Sequence, residues 1–161
     1  MRLLLALALV PLAAFGQGAT FTTKSLTPES ALKAAQAALA KCRADGFQVS
    51  VAVVDRAGIT QVVLRDRFAG PHTLEVATNK AWSAVSFRTS TTELGKASGP
   101  NTAMSGLRQF SRAVTVGGGQ VIQGGGSVVG GIGVSGAPGG DADDVCATAG
   151  IKAISDDLEL G

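Results

Sequence analysis

The stretch VVGGIGVSGAPGGDADDVC, residues 128–146, decides the fold because it joins a strand to a helix through a glycine-rich loop. Side chains alternate along a strand, so Gly131, Gly133 and Ser135 share one face, and that face is nearly bare. Glycine inside a strand is entropically costly. Two glycines on one face therefore indicate that a helix, another subunit or a ligand closely approaches the backbone there.

The same glycines spell the dinucleotide-binding pattern GxGxxG at Gly131, Gly133 and Gly136. A Rossmann unit needs a second parallel strand after the helix, ending in an acidic residue, and no such strand follows in this sequence. Asp143 and Asp144 in the first helical turn would also repel a pyrophosphate. We therefore interpret the glycines as structural, and a ligand-facing role is the second alternative.

The first residues have the composition of a secretory signal, with Arg2 followed by an apolar run over 3–14 and small residues before Gln17. We expect residues 1–16 to be removed and 17–161 to form one exported domain, periplasmic or secreted, without membrane attachment. The formal net charge is only +2. Without a basic stripe, the sequence argues against a nucleic-acid partner.

Export places Cys42 and Cys146 in an oxidising compartment, where two cysteines in a small domain are more often paired than free. A zinc site is not favoured, because the cysteines and the single histidine are scattered and no CxxC spacing occurs. Two separately buried thiols are the alternative to a disulfide.

Capping patterns predict the helices. Thr27 before Pro28 starts a helix over 28–44, and Thr73 is expected to cap a second helix. Ser90 begins a capping box for a short third helix. The last helix is expected to be capped by Asp141 and to end near residue 157.

Apolar, β-rich runs predict the strands. Residues 48–55 and 59–66 predict one hairpin, and 120–122 and 128–135 predict a second, with a further short strand over 113–116. These elements indicate a single-domain α/β sandwich in which helices cover a mostly antiparallel sheet of about five strands.

Three motifs occur together and in order: VSVAVVDRAG (49–58), AGPHTLEVATNKAWSAVSFRTSTTEL (69–94) and GGGQVIQGGGSVVGGIGVSGAPGGDADDVCATAG (117–150). With them the chain resembles the GlcG/HbpS family of heme-binding or heme-degrading domains. The resemblance implies a profilin-like or Rossmann-like α/β unit, assembly into dimers or larger homo-oligomers, and heme as the ligand of some members. It also implies that the first and last helices lie side by side, bringing Cys42 and Cys146 within reach.

The resemblance points to a pocket beside residues 69–73, the helix bearing Lys80 and the strand ending at Ser135. His72 is the candidate heme-iron ligand or general base, because the positive end of a helix disfavours imidazolium. Lys80 is either a cation for a carboxylate or heme propionate, or a solvated lysine. Arg67 is a further candidate anion contact. The ligand-binding set is His72, Lys80, Arg67, Gly131, Gly133 and Ser135.

Three functions compete. The first is an exported module that binds heme or another small molecule at an oligomer interface. The second is a small periplasmic enzyme acting on a carboxylate or aromatic substrate, with His72 as general base and Lys80 or Arg67 stabilising an oxyanion. The third is a structural oligomer whose glycines serve only subunit packing. We expect His72 and Lys80 at loop or helix-surface positions, where alanine substitutions change stability little.

Overall fold

A computed structural model describes residues 18–159 of the chain. The expected signal segment, residues 1–16, lies outside them. None of the helices between residues 18 and 159 has the length and apolarity to cross a membrane. The elements are α1 (Pro28–Ala44), β1 (Ser50–Asp55), β2 (Thr60–Arg65), α2 (Thr73–Phe87), α3 (Thr91–Ala97), a 3-10 turn (Ser105–Gln109), β3 (Gly119–Gly124), β4 (Ser127–Ser135), α4 (Gly140–Lys152) and α5 (Ser155–Glu159).

The strands form one antiparallel sheet in the order β2-β1-β4-β3. The predicted α/β class and both hairpins are confirmed. The sheet among the described residues has four strands rather than five, because the predicted strand over 113–116 is loop. In that loop the backbone N–H of Val114 donates to the hydroxyl of Ser83 on α2 instead of to a neighbouring strand.

Helices cover both faces of the sheet. On one face α1 and α4 bury the main apolar core, which includes Val51, Val53, Ile132 and Val134 from the two central strands. On the other face α2 lies directly on β4. A Cβ atom at Gly133 would collide with the Ala77 carbonyl oxygen and lie 2.6 Å from the Ala81 nitrogen. The bare strand face is therefore covered by a helix, and not by another subunit or a ligand.

The disulfide joins α1 to α4. Cys42 and Cys146 are fully buried, their sulfur atoms lie 2.08 Å apart and their Cα atoms 5.5 Å apart. The two helices approach closely because small residues line the contact, and a Cβ at Gly150 would lie 2.7 Å from the Ala34 carbonyl oxygen. Both the predicted pairing and the expected side-by-side packing of these helices are confirmed.

Helix starts follow local capping chemistry, with two corrections. α1 spans the predicted residues, and Ser90 caps α3 by accepting a hydrogen bond from the Glu93 N–H at 3.2 Å. Thr73 does not cap α2. It is the first helical residue, and its hydroxyl donates to the Gly70 carbonyl at 2.6 Å, which leaves His72 at the N-cap position.

The last helix also differs from its predicted bounds. Gly139, not Asp141, holds the N-cap position of α4, and the helix ends at Lys152. The chain then turns before α5, which contains the expected end near residue 157. An acidic first turn is favourable without side-chain capping because of the helix dipole, so Asp141 fits inside the helix as well as at its cap.

A buried carboxylate, that of Asp66, makes the stability of the protein depend on pH in the acid range. Asp66 is 1% exposed and accepts hydrogen bonds from Arg43 Nε at 2.7 Å and Nη2 at 2.9 Å. The Arg43 hydrogen bonds hold the pKa of Asp66 below its usual range, although burial opposes the shift. This contribution to stability is complete above the unfolded pKa of about 3.9 and is lost as pH falls through the lower folded value.

We therefore expect Asp66→Asn to lower the free energy of unfolding at pH 7. The difference between wild type and variant should become smaller as the pH falls below about 4. Urea unfolding of both proteins between pH 7 and pH 3 measures this difference. Asp45→Asn is the control, because Asp45 pairs with Lys41 at an exposed site where ion pairs contribute little. A wild-type-to-mutant difference that stays constant with pH would contradict the assignment.

Candidate functional site

An open cleft of about 570 Å³ lies where the start of α2, the loop after β4 and the loop at 114–116 meet. Its volume is within the range of small-molecule sites. Its lining includes the apolar side chains of Phe68, Val76 and Val116 and the polar side chains of Gln48, His72, Lys80, Ser135 and Asp143.

A buried ion pair joins three elements at this cleft. Lys80 is 2% exposed and Asp143 3% exposed. Lys80 Nζ donates to Asp143 Oδ2 at 2.7 Å and to the Val134 carbonyl at 2.9 Å, linking α2, α4 and β4. Asp143 Oδ1 accepts from the Ala137 N–H at 3.1 Å, which fixes the loop after β4.

Our expectation that Lys80 lies at the helix surface is wrong. It falls three residues after Ala77 and four before Ala84, both fully buried, so it belongs to the face of α2 that packs on the sheet. Asp143 offsets the cost of burying the ammonium. Burial raises the pKa of Asp143, and the hydrogen bond and positive charge of Lys80 act in the opposite direction.

His72 lines the cleft as an exposed side chain at the N-cap position of α2. The imidazole makes no capping hydrogen bond to the helix. Its ring packs against the backbone of Gly70, where an added Cβ would lie 2.6 Å from the ring Cε1. Because Gly70 has no side chain, there is room for the His72 ring beside it. His72 itself is exposed at the cleft.

Of the other predicted site residues, Ser135 lines the cleft, whereas Arg67, Gly131 and Gly133 do not. Ser135 is 6% exposed and lines the cleft with His72 and Lys80. Arg67 is exposed outside the cleft lining, and its backbone N–H donates to Asp66 at 2.9 Å. Gly131 and Gly133 lie under α2, whose backbone fills the space in which a ligand would have to contact them.

Several cleft residues were not identified as site residues from the sequence, among them Asp143, Phe68 and Gln48. The sequence placed Asp143 only in the first helical turn, as a charge that would repel a pyrophosphate. Phe68 is 82% exposed at the cleft, an unusual position for a large apolar side chain within a charged turn. Gln48 carries a buried Oε1 with no hydrogen-bond partner among residues 18–159. The only sequence signal for Gln48 was a polar residue at the start of the mostly apolar predicted strand over 48–55, and β1 itself begins at Ser50.

The sheet, its two helical layers and this cleft define an α/β domain with a ligand-sized site at the start of a helix. The family model for Haem degrading protein HbpS-like matches residues 26–152. The chain belongs to this family, as its motifs indicated.

Solved structures and a curated relative agree with this assignment. HbpS from Streptomyces reticuli, solved as a double mutant, is 42% identical with a TM-score of 0.79, covering 91% of this chain and 98% of that one. A PduOC–heme complex is 32% identical with a TM-score of 0.77, covering 81% of this chain and 95% of that one. The corrinoid adenosyltransferase PduO of Citrobacter freundii is 38% identical over 117 residues, which are 70% of this chain and 35% of PduO. The chain thus spans about a third of that relative's length.

Proposed function

We propose that this protein binds heme in the cleft, with His72 as the iron ligand. The observation that carries the proposal is the exposed imidazole of His72, the only histidine in the sequence, at a ligand-sized cleft. A similar chain, PduOC, has been solved as a complex with heme. The chemistry supplied by heme would be that of its iron, and the chain's part is to ligate and orient the group.

The cleft residues fit the chemical nature of heme. Phe68, Val76 and Val116 offer apolar surface to a porphyrin ring. The Lys80 ammonium has three protons, and its two acceptors among the described residues leave one for a propionate oxygen. The unpartnered amide of Gln48 supplies a further polar contact, because a 180° turn of the amide presents N–H to an acceptor.

We further propose that the site operates at an interface between copies of the chain. Phe68 is 82% exposed and Val116 56% exposed beside the cleft, so apolar surface is available for a second subunit to cover. No methionine, cysteine or tyrosine is among the residues that line the cleft. One chain therefore offers a single strong iron ligand, His72. A second copy of the chain would be the source of a second iron ligand.

Export to the periplasm or the exterior is part of the same proposal. It is supported by the signal-like composition of residues 1–16 and by the buried disulfide, since structural disulfides form and persist in oxidising compartments.

A hemin titration tests the heme site. We expect wild-type protein to shift the Soret band of hemin, and His72→Ala to lose that shift while changing stability by no more than about 0.5 kcal/mol, because the side chain is exposed. Arg67→Gln is the control, because Arg67 lies in the same exposed loop but outside the cleft lining.

The outcome against the proposal is a His72→Ala protein that binds hemin as tightly as the wild type. Light scattering on the same samples tests assembly, and a monomer with and without hemin would remove the interface component.

Acid–base catalysis by His72 is the second candidate. The favouring observation is that His72 and Lys80 line one cleft, so a base and a fixed positive charge face the same volume. Wild-type protein that fails to bind hemin, but whose His72 is needed to turn over a carboxylate or aromatic substrate, would favour this function.

A further inference from the structure

A second cavity, of about 410 Å³, lies toward the opposite end of α2 from the cleft at His72. It is bordered by the turn after β1, the last turn of α2 and the turn between β3 and β4. On α2, the residues that line the cleft end at Lys80 and those that line the second cavity begin at Val85, about 7.5 Å further along the helix axis. The two cavities share no lining residue. We call the second one the arginine cavity, lined by Arg56, Ala57, Val85, Ser86, Arg88, Gly126, Ser127 and Val128.

Arg56 and Arg88, two exposed residues, both line this cavity. Among residues 18–159, neither Arg56 nor Arg88 makes a side-chain hydrogen bond or ion pair. Arg43, Arg65 and Arg108, by contrast, each donate to an oxygen acceptor. Among the described residues, the guanidinium groups of Arg56 and Arg88 therefore have no carboxylate within ion-pair distance.

The nearest acidic residue in sequence is already engaged. Asp55 Oδ1 accepts from the N–H groups of Ala57 at 2.8 Å and Ile59 at 2.9 Å. Its other oxygen accepts from Gln61 Nε2 at 3.3 Å. These bonds hold the turn after β1 and direct the carboxylate into that turn, so Asp55 does not pair with Arg56.

The backbone at Arg88 is in an unusual conformation. Its φ of 53° and ψ of 37° are left-handed, and its N–H donates to the Ala84 carbonyl to end α2. Glycine is the usual residue at such a helix end, because a Cβ atom is unfavourable there. Backbone strain of this kind persists mainly at functional positions. An arginine at this point places a cation at the cavity at a cost that glycine would avoid.

We propose that the arginine cavity binds a small dianion carrying carboxylate or phosphate groups. Guanidinium groups match both anions through paired N–H donors. The hydroxyls of Ser86 and Ser127 offer further donors, and Val85 and Val128 offer apolar surface to the body of the ligand.

Calorimetric titration with inorganic phosphate and with succinate, at constant ionic strength, tests this site. We expect millimolar or tighter binding of at least one probe, and binding about tenfold or more weaker in Arg56→Gln and in Arg88→Gln. The probe that binds identifies the anion as phosphate or carboxylate. Arg67→Gln, an exposed arginine outside both cavities, is expected to bind as the wild type does. Absence of binding by both probes, or equal weakening in the Arg67 control, would overturn the proposal.

Arg88→Gly separates this role from helix capping, to which a cation also contributes through the helix dipole. Glycine relieves the left-handed backbone, so we expect a higher melting temperature together with loss of anion binding. If Arg88→Gly binds the anion as the wild type does, the site is refuted. Hemin binding is expected to be unchanged in this variant, because His72 lies at the other end of α2. The two proposals can therefore fail independently.

Discussion

Gly133→Ala is expected to lower the free energy of unfolding by about 3 kcal/mol, near the upper end of the range for overpacked cores. The added Cβ would collide with the carbonyl oxygen of Ala77 and would lie 2.6 Å from the nitrogen of Ala81. Both are backbone atoms of α2, so no side chain can rotate away. Either the whole helix must move or β4 must bend, and β4 is paired on both sides.

Urea unfolding monitored by circular dichroism measures this loss. Gly106→Ala is the matched control, because a Cβ at Gly106 meets no atom within 4 Å. We expect the control to stay within about 0.5 kcal/mol of the wild type. An equally small effect at Gly133 would contradict the close packing of α2 on β4 and, with it, the linings of both cavities along α2.

Lys80→Met is expected to cost about 3–5 kcal/mol, because it leaves the carboxylate of Asp143 buried without its cation. The loss should be smaller in the double variant Lys80→Met with Asp143→Asn, in which no charge is left unpaired. Chemical unfolding of the two single variants and the double variant gives the coupling between the side chains.

The pH dependence of Lys80→Met provides a second measurement. Burial already raises the pKa of Asp143, and removal of Lys80 takes away the main opposing influence. A carboxyl whose folded pKa exceeds its unfolded value gains stability on protonation, so the penalty should shrink as the pH falls through the raised value. If Lys80→Met is as stable as the wild type at neutral pH, the ion pair does not hold α2, α4 and β4 together.

Features fixed by local chemistry were predictable from the sequence. The bounds of α1 follow from Thr27, Pro28 and an alanine-rich face, and both hairpins follow from turn residues between β-rich runs. The fifth strand was not predictable in this way. A run such as 113–116 becomes a strand only if a neighbouring strand offers hydrogen-bond partners, and here Ser83 on α2 takes the N–H of Val114.

The candidate site was predictable where position in the chain decides it. His72 lines the cleft because it directly precedes a helix, and Ser135 because it ends the glycine-rich strand. The burial of Lys80 could not be recognised, because its partner Asp143 is 63 residues away in the chain. The cover over Gly131 and Gly133 left a choice between helix, subunit and ligand that only tertiary packing decides.

Tension applied to the two ends of the domain would pass through the Cys42–Cys146 bond and bypass the sheet. The cysteines are 104 positions apart, and β1, β2, β3, β4 and α2 all lie between them. Pulling can unravel α1 up to Cys42 and α4 back to Cys146, and the force then runs through a covalent bond. The strand ladders, the cleft and the arginine cavity belong to a closed ring that a stretching force at the ends cannot open.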